Sequence, residues 1–242
     1  MKNWILLLVA FTAMVTVNAL ANLLPINGQQ TGEISDSVDV LFTPAGYVFS
    51  IWGVIYLLLA VWLFLLFKQL REGKEIPQRL TILFVLSCIF NICWLLTYHY
   101  EFFAVSIIIM IALLLTLITI YLSYPTGDSR FSGRLPFSIY LGWIAVATIA
   151  NISFTLKYND VSLGINEVAG TIVLLIIASA IAIYGRYRSD DPYFAVVFVW
   201  AIVGVAESNT NSSLVTTAYI LAAVIFIAII ALSYVKKRNV AA

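Results

Sequence analysis

Charge is the scarcest property of this chain: 10% of its 242 residues are Asp, Glu, Lys or Arg, where soluble domains carry about one quarter. Against that, 62% of the residues are hydrophobic and the mean hydropathy is +1.02. This balance excludes a soluble domain and leaves a polytopic membrane protein. Histidine occurs once, at His99, and cysteine twice, at Cys88 and Cys93. Five residues apart on one predicted helix, the two thiols point to different sides, which argues against a disulfide between them. With a single histidine there is no metal-ligand cluster. A net charge of +1 implies neither a nucleic-acid partner nor a polyanionic substrate.

The predicted membrane interior is equally bare. No Asp, Glu, Lys, Arg or His falls near the middle of any apolar span. Proton- and ion-coupled carriers keep such costly groups where a pathway needs them, so their absence argues against a pump. Coupling through backbone carbonyls remains open. No Ser-His-Asp or Cys-His set, interior carboxylate pair or phosphate-binding glycine loop is present. The expectation is a non-enzyme with no catalytic residue, no metal and no cofactor.

What is there is an all-α pattern of about eight spans, each judged against about 20 residues for a bilayer crossing. They run from Trp4 to Leu24, Ala45 to Phe67, Arg79 to Tyr98, Phe102 to Ser123, Pro136 to Leu156, Asn166 to Tyr184, Tyr193 to Ala206 and Ser213 to Tyr234. With the N-terminus inside, 12 of the 13 Lys and Arg residues fall on the cytoplasmic side and only Lys157 outside, as the positive-inside rule requires. Omitting the short seventh span would put Lys236, Lys237 and Arg238 outside. The expected topology therefore has both termini in the cytoplasm. The setting expected is the plasma membrane of a prokaryote, with lipid as one partner and a homodimer left open. The first span also reads as a signal peptide, with Ala19-Leu20-Ala21 as a small-residue cleavage site. Against cleavage stand the length of the run and Asn18 and Asn22, amides better suited to facing other helices.

The longest connection, Pro25 to about Pro44, carries Glu33, Asp36 and Asp39 and no basic residue. It is either a solvated loop or a lid. His99 and Glu101 fall in a very short outer turn that makes spans three and four an antiparallel hairpin, with His99 either interfacial or a ligand contact. On the inner side, Arg186, Tyr187 and Arg188, then Lys236 to Arg238, read as interfacial anchors.

Three stretches concentrate the aromatic and amide residues. Phe42 to Tyr56 opens as a turn, because Pro44 fixes φ and Gly46 permits almost any φ. It continues as a helix with Tyr47, Phe49, Trp52 and Tyr56 near its start; Trp52 and Tyr56, four apart, share a face. Such a stretch makes either an interfacial anchor or one wall of a flat-ring pocket. Span three carries Asn91 and Trp94, and span five carries Trp143 and Asn151. Singly, each Asn reads as helix–helix glue and each Trp as a belt residue. Depth sets them apart. At about 1.5 Å per residue, Asn18, Asn22, Trp52, Tyr56, Asn91, Trp94 and Asn151 all fall in the outer half, under the same long loop, with Trp143 lower. Convergent polar groups among aromatics are what a small-molecule site needs.

Together these stretches resemble the translocator protein / tryptophan-rich sensory protein family (TspO/MBR). Thr43-Pro44-Ala45-Gly46-Tyr47-Val48-Phe49 with Trp52-Gly53-Val54-Ile55-Tyr56 resembles that family's proline–aromatic start of helix two and its Trp-x-x-Leu-Tyr core. Asn91-Ile92-Cys93-Trp94 resembles its Asn-x-x-Trp on helix three, and Trp143 with Asn151 its Trp-x7-Asn spacing on helix five. The departures are a Tyr47-to-Trp52 spacing one residue short, Ala45 and Ile139 at two proline positions, and Thr155 where an aromatic is expected. The resemblance covers about residues 1–157, as a five-helix unit, and leaves 158–242 as three additional C-terminal helices of an enlarged branch. It implies a bundle holding a flat hydrophobic ligand, porphyrin- or sterol-like, with a sensory or regulatory role. The alternative is a transporter or permease for a small hydrophobic solute. Tyr47, Phe49, Trp52, Tyr56, Asn91, Trp94, Trp143 and Asn151 are the expected ligand-binding residues.

Overall fold

A computed structural model describes residues 1–24, 26–161 and 164–241, the last six of these by backbone alone. Pro25, at the start of the long loop, and the side chains of Lys236, Lys237 and Arg238 lie outside the described residues. The elements are α1 (Lys2–Leu23), α2 (Thr31–Asp36), a 3-10 turn (Gly46–Ser50), α3 (Ile51–Arg71), α4 (Gln78–His99), α5 (Phe103–Leu122), α6 (Leu135–Tyr158), α7 (Glu167–Ser189), α8 (Pro192–Ser208) and α9 (Ser212–Ala241). Helix is the form apolar sequence takes in lipid, where each backbone group must be satisfied within its own segment.

Seven of these helical stretches are long and apolar enough to cross a membrane, and α8 is a shorter apolar helix. With it the bundle has the eight expected spans. Polar and proline residues set the ends. Asn166 Oδ1 accepts from the Val168 amide at 2.9 Å to start α7, and Asp191 Oδ1 accepts from the Tyr193 amide at 2.9 Å, just before Pro192 opens α8. The turn from α4 to α5 is three residues long, with Glu101 left-handed at φ 61°. The predicted hairpin of spans three and four is therefore present. One element was not expected: within the long loop, Thr31–Asp36 forms α2, whose start is held by the Glu33 carboxylate accepting from the Gln30 amide at 2.7 Å.

In the bundle, α1 lies mainly on α4, α5 sits between α4 and α6, and α3 packs on α6. The last three helices attach chiefly through α8, which packs on α6, while α7 and α9 pack on α8 and on each other. At 17 residues α8 is about 26 Å long, short of a hydrocarbon core of about 30 Å. It is shielded by protein instead: Ala195, Phe198, Ala201, Ile202 and Val205 are all within 1% of complete burial.

The helix ends give the bundle two unlike faces, here called the loop end (the 24–50 segment) and the basic end (Lys2, Lys68, Arg71, Arg79, Arg130, Arg134, Arg186 and Arg188). At the basic end Arg134 is buried, its Nε donating to the Tyr121 carbonyl at 3.1 Å and Nη1 to the Ser189 carbonyl at 3.2 Å. Ser138 Oγ donates to Asp191. Arg186, expected at the interface, is instead buried between α7 and α9, pairing with Asp190 at 2.6 Å and Ser233 at 2.8 Å. Tyr187 and Arg188 are exposed. In the α5–α6 connection, Arg130 folds back on Asp128 at 2.9 Å and its hydrogen bonds lower the Asp128 carboxyl from its usual range.

Candidate functional site

The loop end is hollow. A cavity of about 460 Å³ lies there, enclosed by α1, α2, α3, α4, α6 and the turn at Pro44, within the range of small-molecule sites. Two stacked aromatic pairs face into it. On α3, Trp52 and Tyr56 stack at 5.6 Å and 24°; on α4, Trp94 and Tyr98 stack at 5.7 Å and 26°. Each pair results from i, i+4 spacing, which puts successive rings on one helical face. From α6, Trp143 stands edge-on to Trp52 at 6.3 Å and to Phe49 at 5.7 Å, and Phe154 reaches Tyr98 at 5.4 Å. Between the rings the wall is aliphatic, with Val15, Leu95 and Val146 beside the small residues Ala19 of α1 and Ala147 and Ala150 of α6, which leave space open.

Of the eight residues expected to bind ligand, Phe49, Trp52, Tyr56, Trp94, Trp143 and Asn151 line this cavity. Tyr47 and Asn91 stand outside its lining. Tyr47 faces the C-terminal helices instead, edge-on to Trp200 at 5.3 Å. Asn91 is fully buried beneath the cavity, accepting from Asn18 Nδ2 at 2.7 Å and donating to the Tyr140 hydroxyl at 3.1 Å. Asn18 therefore does face another helix. Asn151, though on the wall, has its amide committed to α5 through Ser106 at 3.0 Å. Both expected amides thus tie helices together, as interior Asn residues do.

The loop above is held down by the only histidine. His99 is buried; its Nε2 meets the Thr31 hydroxyl at 2.8 Å and its Nδ1 the Ile26 carbonyl at 3.3 Å. A carbonyl only accepts, so Nδ1 donates to Ile26. Asn27 Nδ2 adds a bond to the His99 carbonyl at 3.0 Å. These contacts seat α2 so that Thr31, Gly32, Ser35 and Asp36 become part of the cavity lining. The loop is thus neither plain connector nor remote from the cavity. No feature of its composition distinguished a solvated turn from a seated helix.

A second set of contacts comes from α8, which sequence motifs did not signal. The Ala45 amide donates to the Gly204 carbonyl at 3.0 Å, and Trp200 Nε1 donates to the Val48 carbonyl at 3.1 Å. Ser208 Oγ donates to the Thr43 carbonyl at 2.7 Å and Asn209 Nδ2 to the Leu41 carbonyl at 2.9 Å. Gly204 is a close-approach glycine: a Cβ there would run into Val48. The C-terminal helices therefore fix the backbone of the segment from which Phe49 and Trp52 project.

The lining is apolar and aromatic, with few ionisable groups. Apart from the two phenols, its only ionisable lining residue is Asp36, so it offers no nucleophile–base pair and no acid–base dyad. Among the described residues no group of three or more His, Cys, Asp or Glu is placed to hold a metal ion. Searches of curated proteins and of solved structures return no match for this chain. A family model described as TSPO-like protein matches residues 4–231, through the three C-terminal helices as well as the first five, and on that match the chain belongs to the TSPO-like protein family.

Proposed function

We propose that the protein is an integral membrane sensor or regulator that binds a flat hydrophobic small molecule, porphyrin- or sterol-like, in the cavity at its loop end. The observation that carries this reading is the pair of stacked aromatic walls, Trp52–Tyr56 and Trp94–Tyr98, around about 460 Å³ of space beneath the seated α2. Aromatic walls suit a planar ring system. Residues 1–157 are the ligand-binding unit in this reading, and 158–242 a support that holds the Pro44 turn. The twelve-to-one distribution of Lys and Arg supports an outward-facing loop end and cytoplasmic termini; the setting in this reading is the plasma membrane of a prokaryote.

A binder is favoured over a permease by what lies below the cavity. Toward the basic end Trp62, Phe84 and Phe137 are fully buried and pack ring against ring, which supports a closed pocket over a continuous channel. The test is a titration of the purified protein with a porphyrin that carries no carboxylate, followed by tryptophan quenching, with solute uptake measured in proteoliposomes. Saturable quenching that Trp52→Leu weakens is the expected result. Absence of saturation, or uptake without it, overturns the reading.

A further inference from the structure

We propose that the cavity selects by charge, taking planar organic cations in preference to uncharged and carboxylate-bearing rings of the same shape, with Asp36 as the counter-ion. This rests on the binding reading above and adds the sign of the ligand's charge. No Lys, Arg or His lines the cavity, and seven of its lining side chains are aromatic: Phe49, Trp52, Tyr56, Trp94, Tyr98, Trp143 and Phe154. The π-face of an aromatic ring attracts a cation, most strongly for tryptophan and where water is excluded. Three of the rings here are indoles.

Asp36 is the one formal charge on the lining, and it is uncommitted: it has no ion-pair partner among the described residues. Three glutamates near the loop end are engaged, while Asp39 and Asp160 lie off the cavity lining. Glu167 pairs with Lys157 at 2.5 Å, Glu101 accepts from the Tyr158 hydroxyl at 3.3 Å, and Glu33 holds the start of α2. The basic groups that could neutralise Asp36 are equally occupied or distant. Lys157 is held by Glu167, and the His99 ring is spent on Thr31 and Ile26. The long loop from residue 25 to 44 carries three acidic residues and no basic one. A carboxylate entering this cavity meets a like charge and finds no cation to replace its hydration. A protonated ring meets Asp36 and several π-faces.

The test uses one planar tricycle in three charge states at neutral pH: protonated 9-aminoacridine, uncharged acridine and acridine-9-carboxylate. Each is titrated against the full chain in an uncharged detergent and followed by tryptophan quenching. Asp36 is solvent-exposed, so the cation is expected to bind about fivefold tighter than acridine, and the carboxylate correspondingly weaker, as one charge pair close to water allows. Asp36→Asn is expected to bring cation and neutral probe to equal affinity while leaving acridine itself unchanged. High salt should narrow the gap in the native chain. Equal affinity of cation and acridine for the native chain, or a preference that survives Asp36→Asn, overturns charge selection. In that case acridine binding that Trp52→Leu weakens still upholds the binding reading. Failure of all three probes to saturate overturns both.

Discussion

The two ends of this bundle use the same kinds of residue and reach opposite results. Toward the basic end, Trp62 lies 5.0 Å from Phe84 and 5.0 Å from Phe137, and its indole N–H donates to the Tyr124 hydroxyl at 3.1 Å. Tyr124 in turn stacks on Phe137 at 5.8 Å and 21°. Every ring there meets another, and the leucines of α3, Leu59, Leu63 and Leu66, close the gaps. At the loop end the rings stand around a hollow, and the buried indole nitrogens of Trp94 and Trp143 have no hydrogen-bond partner among the described residues. The difference is made by the facing residues. Where the basic end has three leucines of α3, the loop end has one, Leu95, and the small residues Ala19, Ala147 and Ala150. Aromatic content alone thus makes a solid core; small residues opposite the rings make a site.

The comparison is broken most forcefully at Trp62. Trp62→Ala opens a void in the filled end and is expected to cost about 3–5 kcal/mol, read as a large loss of thermal stability in detergent. Trp52→Ala, beside a space that already exists, should cost much less. Equal losses would mean that both ends are packed alike.

Next is Gly204. Gly204→Ala forces its methyl group against Val48, and overpacking of this kind costs about 1–3 kcal/mol. Because Val48 lies between Tyr47 and Phe49, ligand affinity should fall along with melting temperature. Unchanged affinity in a destabilised variant would limit α8 to structural support. For the same reason Trp200 is not a neutral control for the site tryptophans; it donates to the Val48 carbonyl. Trp4, which bonds the Leu63 carbonyl at 3.0 Å toward the basic end, is the better one.

A third substitution converts one end into the other. Ala147→Phe places a ring in the hollow, as at the basic end, and should weaken binding of a planar probe by about tenfold, or 1.4 kcal/mol, with stability preserved or raised. Unimpaired binding would exclude the cavity as the site. Trp52→Leu is a milder change, which keeps apolar bulk and removes one aromatic wall, worth about 0.5–1.5 kcal/mol. The expected dissociation constant is about threefold to tenfold higher; a Trp4→Leu variant assayed in parallel should bind like the native chain. The smallest effect belongs to Asn151→Ala. Its amide is committed to Ser106, so the loss is about 0.6 kcal/mol of helix association, seen in melting. A larger loss in affinity than in stability would return Asn151 to direct ligand contact.

Much of this architecture is legible in the linear sequence. Lipid demands long apolar runs with internally satisfied backbone, so eight spans can be counted from hydropathy. The clustering of Lys and Arg at alternate connections distinguishes the two ends. The i, i+4 spacing of Trp52 with Tyr56 foretells one shared aromatic face; Trp94 and Tyr98 have the same spacing, but their place on the cavity wall emerged only from the structure. Rotation of each helix about its axis is another matter. These helices are apolar on every side, and lipid is as welcoming to a leucine as a neighbouring helix is, so no amphipathic stripe states which face turns inward. Tyr47 and Phe49, two residues apart on one turn, illustrate the consequence: packing against α8 turns Tyr47 toward Trp200 and Phe49 toward the cavity. The seating of α2 on His99 and the hold of α8 on the Pro44 turn join residues about 70 and 160 positions apart. Such contacts depend on how whole helices pack, which no local pattern encodes.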